Sequence, residues 1–469
     1  MKKTLLLFTI LLISLKCFPQ DGFKIDEKYE LTSIVARLAG YPEYSQSPIE
    51  SYNRAIDSCF KPYLDHEMIQ YMKQVRENDF IGYNAISSAA ALLEIENGTV
   101  GFKDNVDLKD YLKEETRWSS KSLLKYVRLL NEFYNDTGFD KFFADNTPLY
   151  DDILSKYNYV IQLIDFDWIE QFFGEKLNFP NLYLSAVNGP SNYALSGLGN
   201  GDYGTLTGTM DPQCVNPMYL YHASLPLVLH ELFHPLSAEL LLPYEKDIKV
   251  CGDSLWNNDF IIEHATVYGT GEAVVYEYIN DLCVLIYLME HYLVAPEEDM
   301  LQSQMLDRYA YSLENEKGYA GIRECLSYYS RINGSGQYKN IADILPELLN
   351  YFKNICENID NIVSDVKSKH PKVTDVIIDS SNGKYDIIKV CFSHKMLNSS
   401  GMRPINEVQA FSFYMPFGTG GTAWIDERTF ALFVEKLESG KYGTILVKNA
   451  FIALNGYAME EDFELIFEK

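Results

Sequence analysis

The sequence predicts an α+β protein, with a largely helical part that contains a small sheet and a β-rich region at the C-terminal end. Three observations support this prediction. Apolar residues recur at three- and four-residue spacing along residues 28–180 and 224–366, as they do on amphipathic helices. A Gly- and Thr-rich stretch at 197–210 separates these helical parts. Short runs rich in β-formers follow Pro371 and are typical of strands.

Residues 1–20 have the pattern of a signal peptide. Two lysines precede an apolar core from Leu5 to Leu15, which is too short to span a bilayer. We expect cleavage near Gln20 and therefore a secreted or periplasmic protein. Lipid anchoring at Cys17 is disfavoured because Lys16 directly precedes that cysteine.

No later stretch is expected to cross a membrane. The most apolar one, Leu282 to Met289, is short and is flanked by Asp281 and Glu290. A buried helix explains it better than a transmembrane segment does.

The composition of the 469 residues limits the kinds of partner. Lys and Arg total 40 against 66 Asp and Glu, which gives a formal net charge of −26. Such a charge repels phosphate backbones, so no nucleic-acid partner is expected.

Seven of the eight cysteines follow the signal peptide, and no two of them form a CxxC pair. A cysteine zinc site is therefore not predicted, and the spacing specifies no disulfide pattern.

The helical part is predicted to span residues 21–370. Its apolar spacing predicts helices at Ile49–Leu64, Asp65–Glu77 and Asn84–Glu96, and another that ends at Gly174. Asn181 to Val187 is predicted to be a strand, because it is followed by the breaker pair Gly189-Pro190.

A second domain is predicted at residues 371–469. The dipeptide Asn382-Gly383 is a hairpin signal between its first two strands. The segment Thr429–Leu437 looks helical and departs from an all-β pattern. The strands are predicted at Val373–Ile378, Asp386–Phe392, Ala410–Tyr414, Gly443–Val447 and Phe463–Phe467.

The chemically informative segment is His230-Glu231-Leu232-Phe233-His234, an H-E-x-x-H pattern in apolar sequence. On a helix the two histidines lie one turn apart on one face, where they can bind one Zn²⁺ at about 2.0–2.1 Å. Glu231 points about 100° around the helix, which suits a carboxylate that takes a proton from water rather than a ligand. Because Pro235 follows directly, we expect the helix to kink or end just after His234.

This motif resembles the active-site helix of the zincin metallopeptidases. A metzincin would continue with glycine and histidine at positions 237 and 240, where this chain has Ser237 and Leu240. That branch is therefore excluded. The gluzincin branch instead takes its third ligand from a glutamate on a later helix.

Three glutamates could supply this third ligand. We favour Glu263, because it lies in an apolar helical run soon after the motif. Glu277 is an alternative, with Asp281 one turn later to orient it. Glu272 is another, although it could simply begin a helix, and His264 is a weaker candidate.

The resemblance implies that the chain hydrolyses peptide bonds with a Zn²⁺ cofactor. Glu231 would take a proton from water and deliver it to the leaving amine. The strand at 181–187 would be either the edge strand that aligns an extended substrate or an ordinary structural strand. An oxyanion-stabilising side chain is also expected, and the alternatives left open are Tyr203, His222, His264 and Tyr268.

The C-terminal region resembles bacterial immunoglobulin-like domains, and the likeness lies in Phe392–Met396 and Leu454–Phe467. This resemblance implies a β-sandwich that acts as a spacer or binding platform. The sequence thus predicts an exported zinc metallopeptidase with a peptide or protein substrate. Two other hypotheses remain: a non-catalytic secreted or surface binding protein on a degenerate zincin scaffold, and a zinc hydrolase that acts on a substrate other than peptide.

Overall fold

The computed structural model describes residues 22–104, 106–176, 181–195, 204–213, 217–292, 300–334, 338–397, 401–405 and 421–469. The predicted signal peptide, with Cys17, and the predicted strand Ala410–Tyr414 lie outside the described residues. Over the described residues the fold is mixed α+β, as predicted.

The chain divides into two compact units. The first comprises residues 1–240 with 339–341, and the second comprises residues 241–338 with 342–469. This division groups the β-rich C-terminal region with the helices that precede it. The domain boundary near residue 370 stays a prediction, although the change from helix to strand does fall between Ser368 and Val373.

The first unit is mostly helical. Its described helices are α1 Glu27–Leu38, α2 Glu50–Phe60, α3 Glu67–Asp79, α4 Asn84–Ala91, α5 Leu108–Glu114, α6 Ser120–Thr137, α7 Phe139–Asp145, α8 Thr147–Ile161, α9 Phe166–Phe173 and α10 Pro217–Leu241. Local sequence sets their ends. Ser119 and Ser122 form a capping box at the start of α6, and Gly174, with φ at 77°, ends α9 as predicted.

The predicted helix Asn84–Glu96 is shorter than expected. Helix α4 ends at Ala91, and the rest forms strand β1, Leu93–Glu96, which pairs with β2, Thr99–Phe102. Asn97 and Gly98 both have positive φ, as in the tight turn that an Asn-Gly pair favours. This local turn signal prevails over the helical spacing of the apolar residues.

A three-stranded sheet follows α9. It consists of β3 Asn181–Ser185, β4 Asn192–Leu195 and β5 Gly204–Gly208, in the order β3-β5-β4. Strand β3 is parallel to β5, and β4 is antiparallel to it. The outer side of β3 is bonded by Lys24, whose N–H donates to the Leu182 carbonyl at 2.9 Å and whose carbonyl accepts from the Leu184 N–H at 2.8 Å.

The second unit begins with seven described helices: α11 Glu245–Leu255, α12 Asp259–Ala265, α13 Gly271–Tyr292, α14 Met300–Asn315, α15 Ile322–Asn333, α16 Ile341–Glu357 and α17 Ile359–Ser368. Helices α11 and α13 approach closely where both carry glycine. A Cβ on Gly252 would lie 2.6 Å from the Gly271 carbonyl carbon, so a side chain there would force the helices apart. The predicted buried helix at 282–289 is confirmed as the centre of α13.

The sequence predicts no later segment that could cross a membrane, but one helical stretch among the described residues is long and apolar enough to do so. Residues Ala223–Leu255 are long and apolar enough by composition, with a mean hydropathy of 1.2. However, 61% of the most apolar window is buried inside the protein, as in the core helix of a folded domain. Length and composition are therefore weak evidence for a membrane span here.

The C-terminal region is built from antiparallel strands, β6 Val373–Asp379, β7 Tyr385–Phe392, β8 Met402–Pro404, β9 Thr422–Trp424, β10 Thr429–Glu435, β11 Lys441–Leu446 and β12 Phe463–Glu468. They form one sheet in the order β6-β7-β10-β9 and another in the order β12-β11-β8. Apolar side chains of both sheets make one buried cluster, which includes Val390, Phe430, Leu446 and Leu465.

The predicted helical segment Thr429–Leu437 is wrong, because it forms strand β10. The side chains of Phe430, Leu432 and Val434 alternate along this strand and lie in the shared core. A short apolar run fits a helix or a strand equally well, so pairing with β7 and β9 decides its conformation.

The strands of the second unit are fixed to its helices by buried polar bonds. The Tyr457 hydroxyl donates to the Glu314 carboxylate, which also accepts from Arg323 Nε at 3.0 Å. His370, between α17 and β6, bonds to the Asn315 side chain at 2.6 Å and to the Ala458 carbonyl at 2.8 Å. These contacts hold the β-rich region against α14.

Candidate metal centre

The two motif histidines lie one turn apart on α10, as the spacing predicts. Their Nε2 atoms are 3.0 Å apart, and their ring centroids are separated by 4.5 Å with the ring planes at 82°. His230 is buried with 8% of its surface exposed, and Glu231 with 7%, while His234 is partly buried. The pair is therefore held in an environment that excludes most solvent.

Helix α10 does not end after His234. It continues through Pro235 to Leu241, although proline removes one hydrogen bond of the helix. The segment is anchored on both sides of the proline: the Phe233 ring packs edge-on against Phe173 at 5.1 Å, and the Ser237 hydroxyl donates to the His234 carbonyl at 3.3 Å. Packing thus maintains helical geometry that the local sequence opposes.

The acidic residue grouped with the histidines is Glu277. One ligand atom from each of His230, His234 and Glu277 lies within 4.8 Å of the others. Glu277 is on α13, one turn before Asp281. Glu277, which the sequence left as an alternative, is therefore the glutamate that the structure groups with the histidines, and the identity of a third zinc ligand stays a prediction.

The other predicted third ligands lie elsewhere. Glu263 is exposed on α12 and is not part of the group. Glu272 is at the first turn of α13 and pairs with Lys249 at 3.3 Å, which fits its alternative role at a helix start. The ring of His264 bonds to the Phe260 carbonyl at 2.8 Å, and its Cβ packs against Gly318.

A charged network surrounds Glu277 within α13 and the turn after α14. Asp281 has no exposed surface and accepts hydrogen bonds from Lys317 Nζ at 2.8 Å and from the Tyr309 hydroxyl. Burial alone would lower the pKa of Lys317, but the attraction of Asp281, Tyr268 and Glu277 raises it. Lys317 therefore stays charged beside the two carboxylates.

Of the four residues left open for oxyanion stabilisation, Tyr268 has the most suitable surroundings. Burial raises the pKa of its phenol. The positive charge of Lys317 lowers this pKa and the negative charge of Glu277 raises it, so the phenol lies near Glu277. His264 is bonded to backbone, as described above. Tyr203 and the side chain of His222 lie outside the described residues.

The sequence missed one residue near Glu231. Tyr193 lies on β4, and its pKa is raised mainly by burial and, to smaller extents, by the negative charges of Glu43 and then Glu231. Strand β4 thus lies close to the motif. Lys24 bonds the outer side of the predicted strand at 181–187, whereas β4 forms the other edge of the described sheet. In the sequence, the breaker pair Gly189-Pro190 could have indicated that a second strand, β4, begins soon after it.

The donor set fits a small divalent cation. Two imidazoles and one carboxylate are the ligands that catalytic zinc sites use, with a fourth position left open. Nitrogen atoms bound to tetrahedral zinc at about 2.0–2.1 Å lie roughly 3.3 Å apart. The 3.0 Å between the two Nε2 atoms is close to that separation, and it also suits a hydrogen bond between the rings.

Comparisons with known proteins give limited information about this chain. A family model described as a domain of unknown function (DUF4932) matches residues 23–195, which end before the H-E-x-x-H motif. No curated protein matches. Among solved structures, one titled "Structure of surface layer protein SbsC, domains 1-6" is 12% identical, with 86% of this chain and 45% of that chain covered. The chain thus spans less than half of that protein, and the TM-score of 0.15 supports no inference about fold or function.

Proposed function

We propose that this chain is an exported zinc metallopeptidase of the gluzincin type. One observation carries the proposal: His230, His234 and Glu277 can direct their ligand atoms to one point, and Glu231 follows the first histidine on the same buried helical turn. In this proposal the three residues bind Zn²⁺ and Glu231 is the general base. The helical part would be zincin-like and the C-terminal strands immunoglobulin-like.

Each side chain has a defined task in this proposal. Zn²⁺, when bound, supplies Lewis-acid polarisation of a carbonyl and of a water molecule. Glu231 takes a proton from the attacking water and returns it to the leaving amine. Asp281, one turn from Glu277, holds Lys317 at 2.8 Å, and Lys317 would supply positive charge beside the Glu277 carboxylate.

An extended peptide is the substrate that suits the surroundings of Glu231. Strand β4 is at the edge of the described three-stranded sheet and carries Tyr193 close to Glu231. A peptide that added to this edge would gain backbone hydrogen bonds and bring a scissile bond towards the motif. Among the described residues of the C-terminal strands, no three metal-ligating side chains converge, and the immunoglobulin-like resemblance leads us to propose a spacer or binding role for them.

Metal analysis of the full chain is the first experiment. We expect about one Zn²⁺ per chain in the wild type, because three donors converge, and we expect His230→Ala to lose it. The matched control is His291→Ala, which removes a histidine of α13 whose ring bonds to the Tyr287 carbonyl at 2.9 Å. A wild-type chain without metal, or equal zinc in both variants, would contradict the proposal.

Peptide hydrolysis is the second experiment. Glu231→Gln should keep the metal but lose about 10²–10⁴-fold in kcat, because the amide cannot accept the proton. Glu239→Gln is the control, since Glu239 is exposed on the same helix, and it should keep full activity. If the wild type binds zinc but cleaves no member of a diverse peptide library, the peptidase proposal is wrong. The non-catalytic binding protein or the other zinc hydrolase would then be the better interpretation.

A further inference from the structure

Two cysteines of the second unit are buried on neighbouring helices. Cys251 lies on α11 and Cys356 near the end of α16, and each has only 2% of its surface exposed. Both are reduced thiols in this structure. The spacing of cysteines along the chain gives no indication that these two meet.

The faces of α11 and α16 that carry these cysteines are turned towards each other. Lys353 Nζ lies 3.8 Å from an oxygen of Asp247, which joins the two helices. Asp247 is four residues before Cys251, and Lys353 is three residues before Cys356. Residues three and four apart share one face of a helix, so the ion pair and the two thiols lie along one contact.

The two thiols lie close enough to influence each other, because their interaction lowers the pKa of Cys251 and raises that of Cys356. The positive charge of Lys353 lowers the pKa of Cys251 further. Cys251 is therefore the more reactive of the pair, because the thiolate is the nucleophile in disulfide chemistry.

The other described cysteines are less suited to pairing. Cys325 is fully buried and its sulfur accepts from the Tyr278 hydroxyl at 3.7 Å, while burial raises its pKa to about 12. Cys283 is buried on α13, and burial raises its pKa as well. Cys59 lies in the first unit, and Cys391 on strand β7 is only partly buried.

We propose that Cys251 and Cys356 form a disulfide bond when the chain folds in an oxidising environment. The Cys251 thiolate attacks oxidised glutathione and releases one glutathione, and Cys356 then loses its proton and displaces the second glutathione from Cys251. Two protein thiols and one glutathione disulfide thus yield one protein disulfide and two glutathione thiols. The bond closes a loop of roughly 100 residues that contains Glu277 and Lys317, so it stabilises the helices that carry them.

Refolding the full chain tests this proposal. Reduced, denatured protein is refolded in a buffer of reduced and oxidised glutathione, the free thiols are alkylated, and disulfide-linked peptides are identified by mass spectrometry. We expect Cys251 and Cys356 to be the linked pair. The melting temperature should fall by about 5 °C on reduction of the wild type, because the unfolded chain regains conformational freedom.

Alanine variants supply the controls. Cys251→Ala, Cys356→Ala and the double variant should each melt at the temperature of the reduced wild type and no longer respond to reductant. Cys283→Ala should keep the linked pair and the response, because it removes a buried thiol outside the contact. The proposal is overturned if all thiols are alkylated after refolding, or if Cys251 is linked to Cys325 instead. It does not depend on zinc or on peptidase activity.

Discussion

The helical N-terminal region and the β-rich C-terminal region bury carboxylates in opposite ways. Asp386 on β7 has no exposed surface, and it pairs with Lys436 at 2.9 Å and with Lys469. Its hydrogen bonds hold its pKa well below the usual range despite desolvation. Glu30 on α1 is equally buried but bonds only to neutral groups, among them the Tyr52 hydroxyl at 2.7 Å and the Ala186 N–H at 2.9 Å. Burial raises its pKa to about 7.

This difference shows what a buried carboxylate such as Asp281, one turn from Glu277, requires in order to stay ionised. At Glu30 the neutral hydrogen bonds do not offset the effect of burial on the pKa, whereas at Asp386 the hydrogen bonds from two lysines do. At Asp386 two lysines face one carboxylate. On α13, Lys317 faces both Asp281 and Glu277, and a bound divalent cation would add further positive charge there. A metal at Glu277, which is partly buried, would supply positive charge as the lysines do at Asp386.

The largest expected effect concerns Glu277 itself. Glu277→Gln should weaken zinc binding by about 1000-fold, well beyond the 10–100-fold losses seen when groups behind the ligands are removed. Zinc affinity measured by competition with a chelator checks this. Glu263→Gln and Glu272→Gln are the matched controls and should bind zinc as the wild type does. An unchanged affinity in Glu277→Gln would return Glu263 or another residue to consideration.

The next effect concerns Asp386. Asp386→Asn should lower the free energy of unfolding by about 3 kcal/mol at pH 7, because it leaves two lysines facing an uncharged amide. Urea unfolding measures this change. Asp379→Asn is the control: its 2.9 Å pair with Lys389 is on the same sheet but about a third exposed, so little change is expected. Equal losses in the two variants would show that burial does not decide the difference.

Glu30 should give an effect of at most similar size, with a distinct pH dependence. Because its pKa is raised in the folded state, its contribution is fully present below the unfolded value of about 4.3 and is lost as the pH rises through 7. The unfolding free energy of the wild type relative to Glu30→Gln should therefore fall by up to about 3 kcal/mol from pH 4.5 to 7.5. The pKa of Asp386 is instead lowered in the folded state, so its contribution to stability is present at neutral pH and is lost as the pH falls below about 4. A flat difference for Glu30→Gln would contradict this assignment.

Much of the fold was predictable from local pattern. The helical parts, strand β3, the hairpin of β6 and β7 and the helix end at Gly174 follow from apolar spacing and from glycine or Asn-Gly signals. The errors occur where a short apolar run fits two conformations, as at Thr429–Leu437, or where a turn signal ends a helix early, as at Asn97-Gly98. In both cases pairing with another strand decides the structure.

The sequence alone determined the paired histidines and the adjacent Glu231, because residues four apart on one helix must share a face whatever the rest of the chain does. Only the tertiary structure groups Glu277 with the two histidines, places Lys317 beside Asp281 and brings Cys251 near Cys356. These residues are far apart in the chain, so their proximity depends on how helices pack. Helical periodicity carries no information about that packing.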